Sequence, residues 1–168
     1  MKSILMSIKP QWVAKILNGE KTIEIRKKFP KDYVGWVYIY CTKGKTTFEK
    51  TLVRYHDGEV VARFWCDKVE EIFTIGMYYH ETKTLDKNEL PRLSCLSCTD
   101  LDNYLQGRNG YAIHITKLEI FDKPKEISEF LVFSHIVDGV DAHNQPKQFK
   151  ILKHITRPPQ SWCYIENI

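Results

Sequence analysis

"NGEKTIEIRKKFP", residues 18–30, sets Glu24 and Arg26 two positions apart, alternating with Ile23 and Ile25 just behind Gly19 and Lys21. The period of two predicts a strand. On it Thr22, Glu24 and Arg26 project from one face and the two isoleucines from the other. The isoleucines can then pack on a core, while the opposite face carries a carboxylate and a guanidinium roughly 6.5 Å apart. Two readings stay open. The pair is either an exposed ion pair worth ~0–1 kcal/mol, or it lines a cleft where each charge holds the other in one geometry. In a cleft, Arg26 would anchor a phosphate or a base edge through its planar fork. Glu24 would orient Arg26, accept from an exocyclic amine or move a proton. Lys21 would reach the same place as a point charge.

The flanking sequence supplies the frame. "PQWVAKILNG" (10–19) places Trp12, Val13, Ile16 and Leu17 on one helical face, with Pro10 at the first turn and Gly19 at the left-handed cap position. "ILMSI" (4–8), "GWVYIYCT" (35–42), "GEVVARFWCDKVEEIF" (58–73), "YAIHITKLEIF" (111–121) and "SWCYIEN" (161–167) read as strands. Asp57-Gly58 reads as a hairpin turn after "TLVRYH", and Thr99 with Asp102 as the cap of a helix through "DLDNYLQ", ended by Gly107 or Gly110. "DKPKEISEF" and "RPPQ" read as connectors, and no internal repeat interrupts the order. Five to seven strands with two or three short helices predict an α+β fold: a small, mostly antiparallel curved sheet or barrel, formed by residues 1–168 as one domain.

Composition narrows the function classes. At 168 residues, 43% hydrophobic and 27% charged, the chain suits a globular domain with a real core. No apolar run approaches the ~20 residues of a membrane span, and the apolar start before Pro10 is too short for a signal peptide, so a soluble cytoplasmic protein is expected. The net charge of +4 is unevenly spread. Residues 1–55 hold twelve Lys/Arg against four Asp/Glu, and residues 143–164 hold Lys147, Lys150, Lys153 and Arg157 with no acid. Two basic stretches folded onto one face would suit an anionic partner; a solvated surface is the alternative. Five irregularly spaced cysteines make a poor disulfide framework. "CLSC" (95–98) would need further zinc ligands from Cys66, His80 or His114, which nothing in the spacing selects, so no metal and no cofactor are expected.

Gly19-x-Lys21-x-x-Glu24-x-Arg26, directly after a short amphipathic helix, resembles the signature of the ASCH domain (activating signal cointegrator homology). "ILMSIKPQWVAKILNGEK", "YAIHITKLEIFDKPKEISEF" and "RPPQSWCYIEN" look like the longer bacterial and phage members, while 74–98 and 132–150 carry no such likeness. The resemblance implies a PUA-like β-barrel whose strands and first helix enclose a cleft where Lys21, Glu24 and Arg26 converge. It implies binding of RNA or a nucleotide-like ligand. Some members hydrolyse acylated cytidine, and nuclease activity occurs in others. The amidohydrolase-type members carry a threonine where this chain has Glu24, which removes the hydroxyl nucleophile and leaves Lys21, with Glu24 as a general base toward water.

The remaining candidates are weighed by context. Trp12, Trp36 and Trp65 sit where core packing is expected. Trp162 follows Arg157 and Pro158-Pro159 in a loop that could close over the cleft, so Arg157 and Trp162 are expected to border the site. The six histidines show neither metal spacing nor a triad partner, and no Gly-rich phosphate loop is present. The expected function is RNA or nucleotide binding, with a small hydrolase or ribonuclease second and a protein-interaction adaptor third.

Overall fold

The computed structural model describes residues 2–44, 57–75, 79–140 and 146–166, with backbone alone for 135–140 and 146–149. The strands are β1 (Ser3–Ile8), β2 (Ile23–Arg26), β3 (Gly35–Cys41), β4 (Val60–Cys66), β5 (Val69–Ile75), β6 (Tyr79–Glu81), β7 (Gly110–His114), β8 (Thr116–Lys125), β9 (Leu131–Val140), β10 (Pro146–His154) and β11 (Trp162–Ile165). The helices are α1 (Pro10–Leu17), α2 (Glu89–Ser94) and α3 (Cys98–Leu105), with a 3-10 turn at Ile127–Glu129.

The strands form a five-stranded sheet β11-β1-β3-β4-β8, a four-stranded sheet β2-β7-β5-β6 and the antiparallel pair β9-β10. Among the described strand pairs only β1 and β3 run parallel. The result is a curled half-barrel with three short helices, an α+β architecture of mostly antiparallel strands.

Alternation sorts the side chains into three cores. Ile4, Met6, Val37, Ile39 and Phe64 meet Val13 and Ile16 of α1 and Ile113 of β7 between the two larger sheets. Behind the four-stranded sheet, Ile23, Ile25, Ile72 and Ala112 pack on Leu90 of α2 and on Leu101 and Leu105 of α3. Leu5, Tyr40 and Val60 point out of the five-stranded sheet against Phe130, Ile155 and Ile165. Strand β1 lies between β11 and β3 and is covered on both faces, so all six of its residues are buried. That accounts for its continuous apolar run.

Several elements depart from the sequence expectation. Residues 58–73 form two strands in different sheets, since the chain leaves the five-stranded sheet after Cys66 and re-enters the other at Val69. Residues 111–121 divide likewise at Ile115, whose N–H donates to the Thr22 carbonyl instead of continuing a ladder. Helix α3 is capped by Ser97 and Asp100, not by Thr99 and Asp102: Ser97 Oγ accepts from the Asp100 N–H, and the Asp100 carboxylate accepts from the Ser97 N–H. A Ser-x-x-Asp box is a capping signal of the same kind, two residues earlier. The described strands number eleven, and two of them, β9 and β10, fall largely in the stretch 132–150. Gly58 has φ +93°, but its N–H donates to Cys41 of β3, and the strand expected before it lies outside the described residues.

Candidate functional site

Gly19 follows α1 with φ +75°, a left-handed turn that reverses the chain into β2. The turn is closed by the Glu20 and Lys21 N–H groups, both donating to the Lys15 carbonyl. Strand β2 then pairs with β7, Glu24 opposite Ile113 and Arg26 opposite Tyr111. With Ile23 and Ile25 committed to the core behind the sheet, Glu24 and Arg26 face the opposite way. Lys21, Glu24 and Arg26 are all buried.

These three charges form one cluster. Glu24 Oε2 lies 3.3 Å from Lys21 Nζ and Oε1 lies 3.0 Å from Arg26 Nη2. Lys21 Nζ also donates to the Ser94 carbonyl at 2.6 Å, and its ammonium sits 5.4 Å from the centre of the Trp12 ring. Arg26 Nη2 donates to the Ser7 carbonyl at 2.8 Å, and Nη1 reaches Ser161 Oγ at 3.4 Å. The Nε–H of Arg26 is buried and has no protein acceptor. Two basic side chains share one carboxylate in a largely buried cluster. Burial lowers the Lys21 pKa against the pull of Glu24, which raises it.

The cluster floors a cleft of about 620 Å³, a volume suited to a small ligand. Trp12 and Lys9 line it from the first helix and its approach, Asp100 and Tyr104 from α3, and Gln160 from the loop before β11. Burial also raises the Tyr104 pKa.

Arg157 is exposed on that loop and does not line the cleft. Trp162 lies against Phe29 and Tyr164, and its indole N–H donates to the Lys28 carbonyl at 2.7 Å, so the ring packs beside the site. Among the described residues no group of three His, Cys, Asp or Glu side chains could hold a metal ion. No helix of the described residues is long and apolar enough to cross a membrane.

Sequence reasoning gave Trp12 to the core; it packs against the first core and also contributes to the cleft wall and the Lys21 environment. It also passed over Asp100 and Tyr104. Their spacing of four on one helix was the available signal, since it places both side chains on one face.

No protein-family profile matches the sequence, and no curated protein matches it. Structure gives a different result. The chain is similar to the crystal structure of ASCH from Zymomonas mobilis, with a TM-score of 0.62 at 16% identity, covering 98% of this chain and 88% of that one. The fold is that of an ASCH domain. Two point variants of the same Zymomonas mobilis protein each give a TM-score of 0.59, at 16% and 17% identity, covering 99% and 98% of this chain and 91% and 89% of theirs. In the ASCH fold seen here, the cleft occupies the gap between the first helix, the end of β1 and α3.

Proposed function

We propose that the protein binds RNA or a nucleotide-like ligand in this cleft. The observation that carries the reading is the cleft floor, where two basic side chains, Lys21 and Arg26, share the single carboxylate of Glu24. An excess of basic groups over carboxylates at the floor of a cleft favours an anionic ligand. Trp12 and Tyr104 supply aromatic walls for a planar base. Glu24 holds Lys21 and Arg26 in register; Arg157 serves as an outer phosphate contact for a longer ligand, and Trp162 anchors the loop carrying Ser161. The likeness of fold to ASCH is consistent with this assignment.

The test is the affinity for single-stranded RNA as salt is raised. The log–log slope should be roughly −0.7 for each phosphate contacted. Arg26→Gln should weaken binding at every salt concentration. Affinity indifferent both to salt and to that substitution sinks the reading.

One observation favours a hydrolase as a second reading. Lys21 is an amine whose pKa is lowered by burial, beside a carboxylate in a cleft, as general acid–base chemistry requires. Incubation with acetylated cytidine, and separately with a short RNA, should then give product that disappears in Lys21→Met and in Glu24→Gln. Turnover that persists in both variants would exclude it.

A further inference from the structure

We propose that the Trp36–Trp65 end of the outer face of the five-stranded sheet, beyond the cluster of Phe130, Ile155 and Ile165, is a second contact surface for single-stranded RNA, a stacking platform built on Trp36 and Trp65 and edged by Arg63 and Lys117. This rests on the reading of the protein as an RNA binder and enlarges its footprint.

Trp36 and Trp65 are direct partners across β3 and β4, their rings 5.4 Å apart and near perpendicular. Sequence reasoning placed both in the core. Instead Val37, Phe64 and Cys66 fill the interior, and the two indoles lie half-buried on the other face. The next row is Tyr38, Arg63 and Glu119, paired in register across β3, β4 and β8. The Arg63 guanidinium sits 4.1 Å from the Trp36 ring centre and 5.8 Å from that of Tyr38. Glu119 Oε2, 2.7 Å from both Nε and Nη2, and the Tyr38 hydroxyl, 3.1 Å from Nη1, hold it there.

Lys117 completes the edge, its ammonium 5.8 Å from the Trp65 ring centre. Its φ of +43° is a left-handed conformation that a lysine adopts at a cost, beside a register shift between Arg63 and Trp65. Strain of that kind persists where surrounding structure fixes it, and a bulge re-aims side chains. Farther along β8, Lys125 is exposed with its ammonium 5.7 Å from the centre of the Phe121 ring, which neighbours Tyr38, so the face carries Arg63, Lys117 and Lys125 against the Arg63-bound Glu119. Aromatic faces set among cations are the arrangement on which sheet surfaces stack unpaired bases and follow a phosphate backbone. A protein-binding surface would be expected to be poorer in lysine.

Trp36 lies near the start of β3, whereas Thr42, which lines the cleft, follows its end. The two are about 20 Å apart along an extended chain, so only a longer RNA reaches both. The experiment measures binding of oligouridylates about four and about twelve nucleotides long, lengths within the range of single-strand site sizes, to the full chain by fluorescence anisotropy.

Trp36→Leu should weaken the long probe roughly five- to a hundredfold, as loss of a stacked base does, and leave the short probe unchanged. Lys117→Gly removes the charge while relaxing the backbone, so it keeps the fold and should flatten the long probe's salt slope by about 0.7. Arg26→Gln should weaken both probes. Long-probe binding that responds to Arg26→Gln and to neither platform variant overturns the platform and leaves the cleft. The reverse pattern overturns the cleft and leaves the platform. A face that retains a protein in place of RNA would show the first pattern.

Discussion

Glu24 is the one carboxylate that Lys21 and Arg26 share, and its removal leaves two buried cations facing each other. Glu24→Gln should therefore destabilise the fold by about 3–5 kcal/mol, read from urea denaturation. Pairing it with Lys21→Met should recover part of the loss, because a buried cation goes with it. A second buried carboxylate, Glu70, lies apart from that cluster: His114 Nε2 is 2.7 Å from its Oε2, Lys68 Nζ is 3.0 Å away, and the Thr84 hydroxyl donates to it. Burial pushes the Glu70 pKa up, but the bonds from His114, Lys68 and Thr84 outweigh it and hold the pKa at about 2. A depressed folded-state pKa stabilises the fold above the carboxyl's ordinary value and loses that contribution as pH falls toward 2. Unfolding free energy measured from pH 6 to pH 2 should fall by on the order of 3 kcal/mol from this group. Glu70→Gln should flatten that limb.

Elements show where sequence reasoning ran true and where it did not. The turn from α1 into β2 was legible because Gly19 marks it chemically: a Cβ there would meet nothing within 4 Å, so only the φ of +75° demands glycine. Gly19→Ala should thus cost about 1 kcal/mol by backbone strain alone, lowering Tm by about 2–4 °C for a chain of this size. The cap of α3 was misplaced because Thr99 and Asp102 repeat the spacing of Ser97 and Asp100 two residues on; local pattern cannot choose between two boxes in phase with one helix. The breaks at Asp67-Lys68 and Ile115 were invisible for another reason. Both flanking segments are genuine strands, and only their assignment to different sheets, a tertiary decision, separates them. For the site, the charged strand was readable from its alternation. Asp100 and Tyr104 were not, because their spacing puts them on one face of α3 but does not say that this face meets Trp12 across the cleft.

Across the molecule, residues far apart in the chain build the central sheet. Strand β1 pairs in parallel with β3 and antiparallel with β11, and Ile4, Leu5 and Met6 are wholly enclosed. Native-state hydrogen exchange should find the amides of β1 and β3 among the slowest, near the global unfolding free energy, and those of the short edge strand β6 faster. Equal protection in β6 would contradict this ranking of strands. Strand β1 and the loop before β11 also meet beside the cleft: Ser7 Oγ donates to the Pro159 carbonyl at 2.7 Å, and its N–H donates to the Ser161 carbonyl. During synthesis, then, β1 must wait for β11. A ribosome has to release residue 161 before the wall beside Arg26 can close, so a nascent chain holds its charged cluster half-built until β11 has emerged.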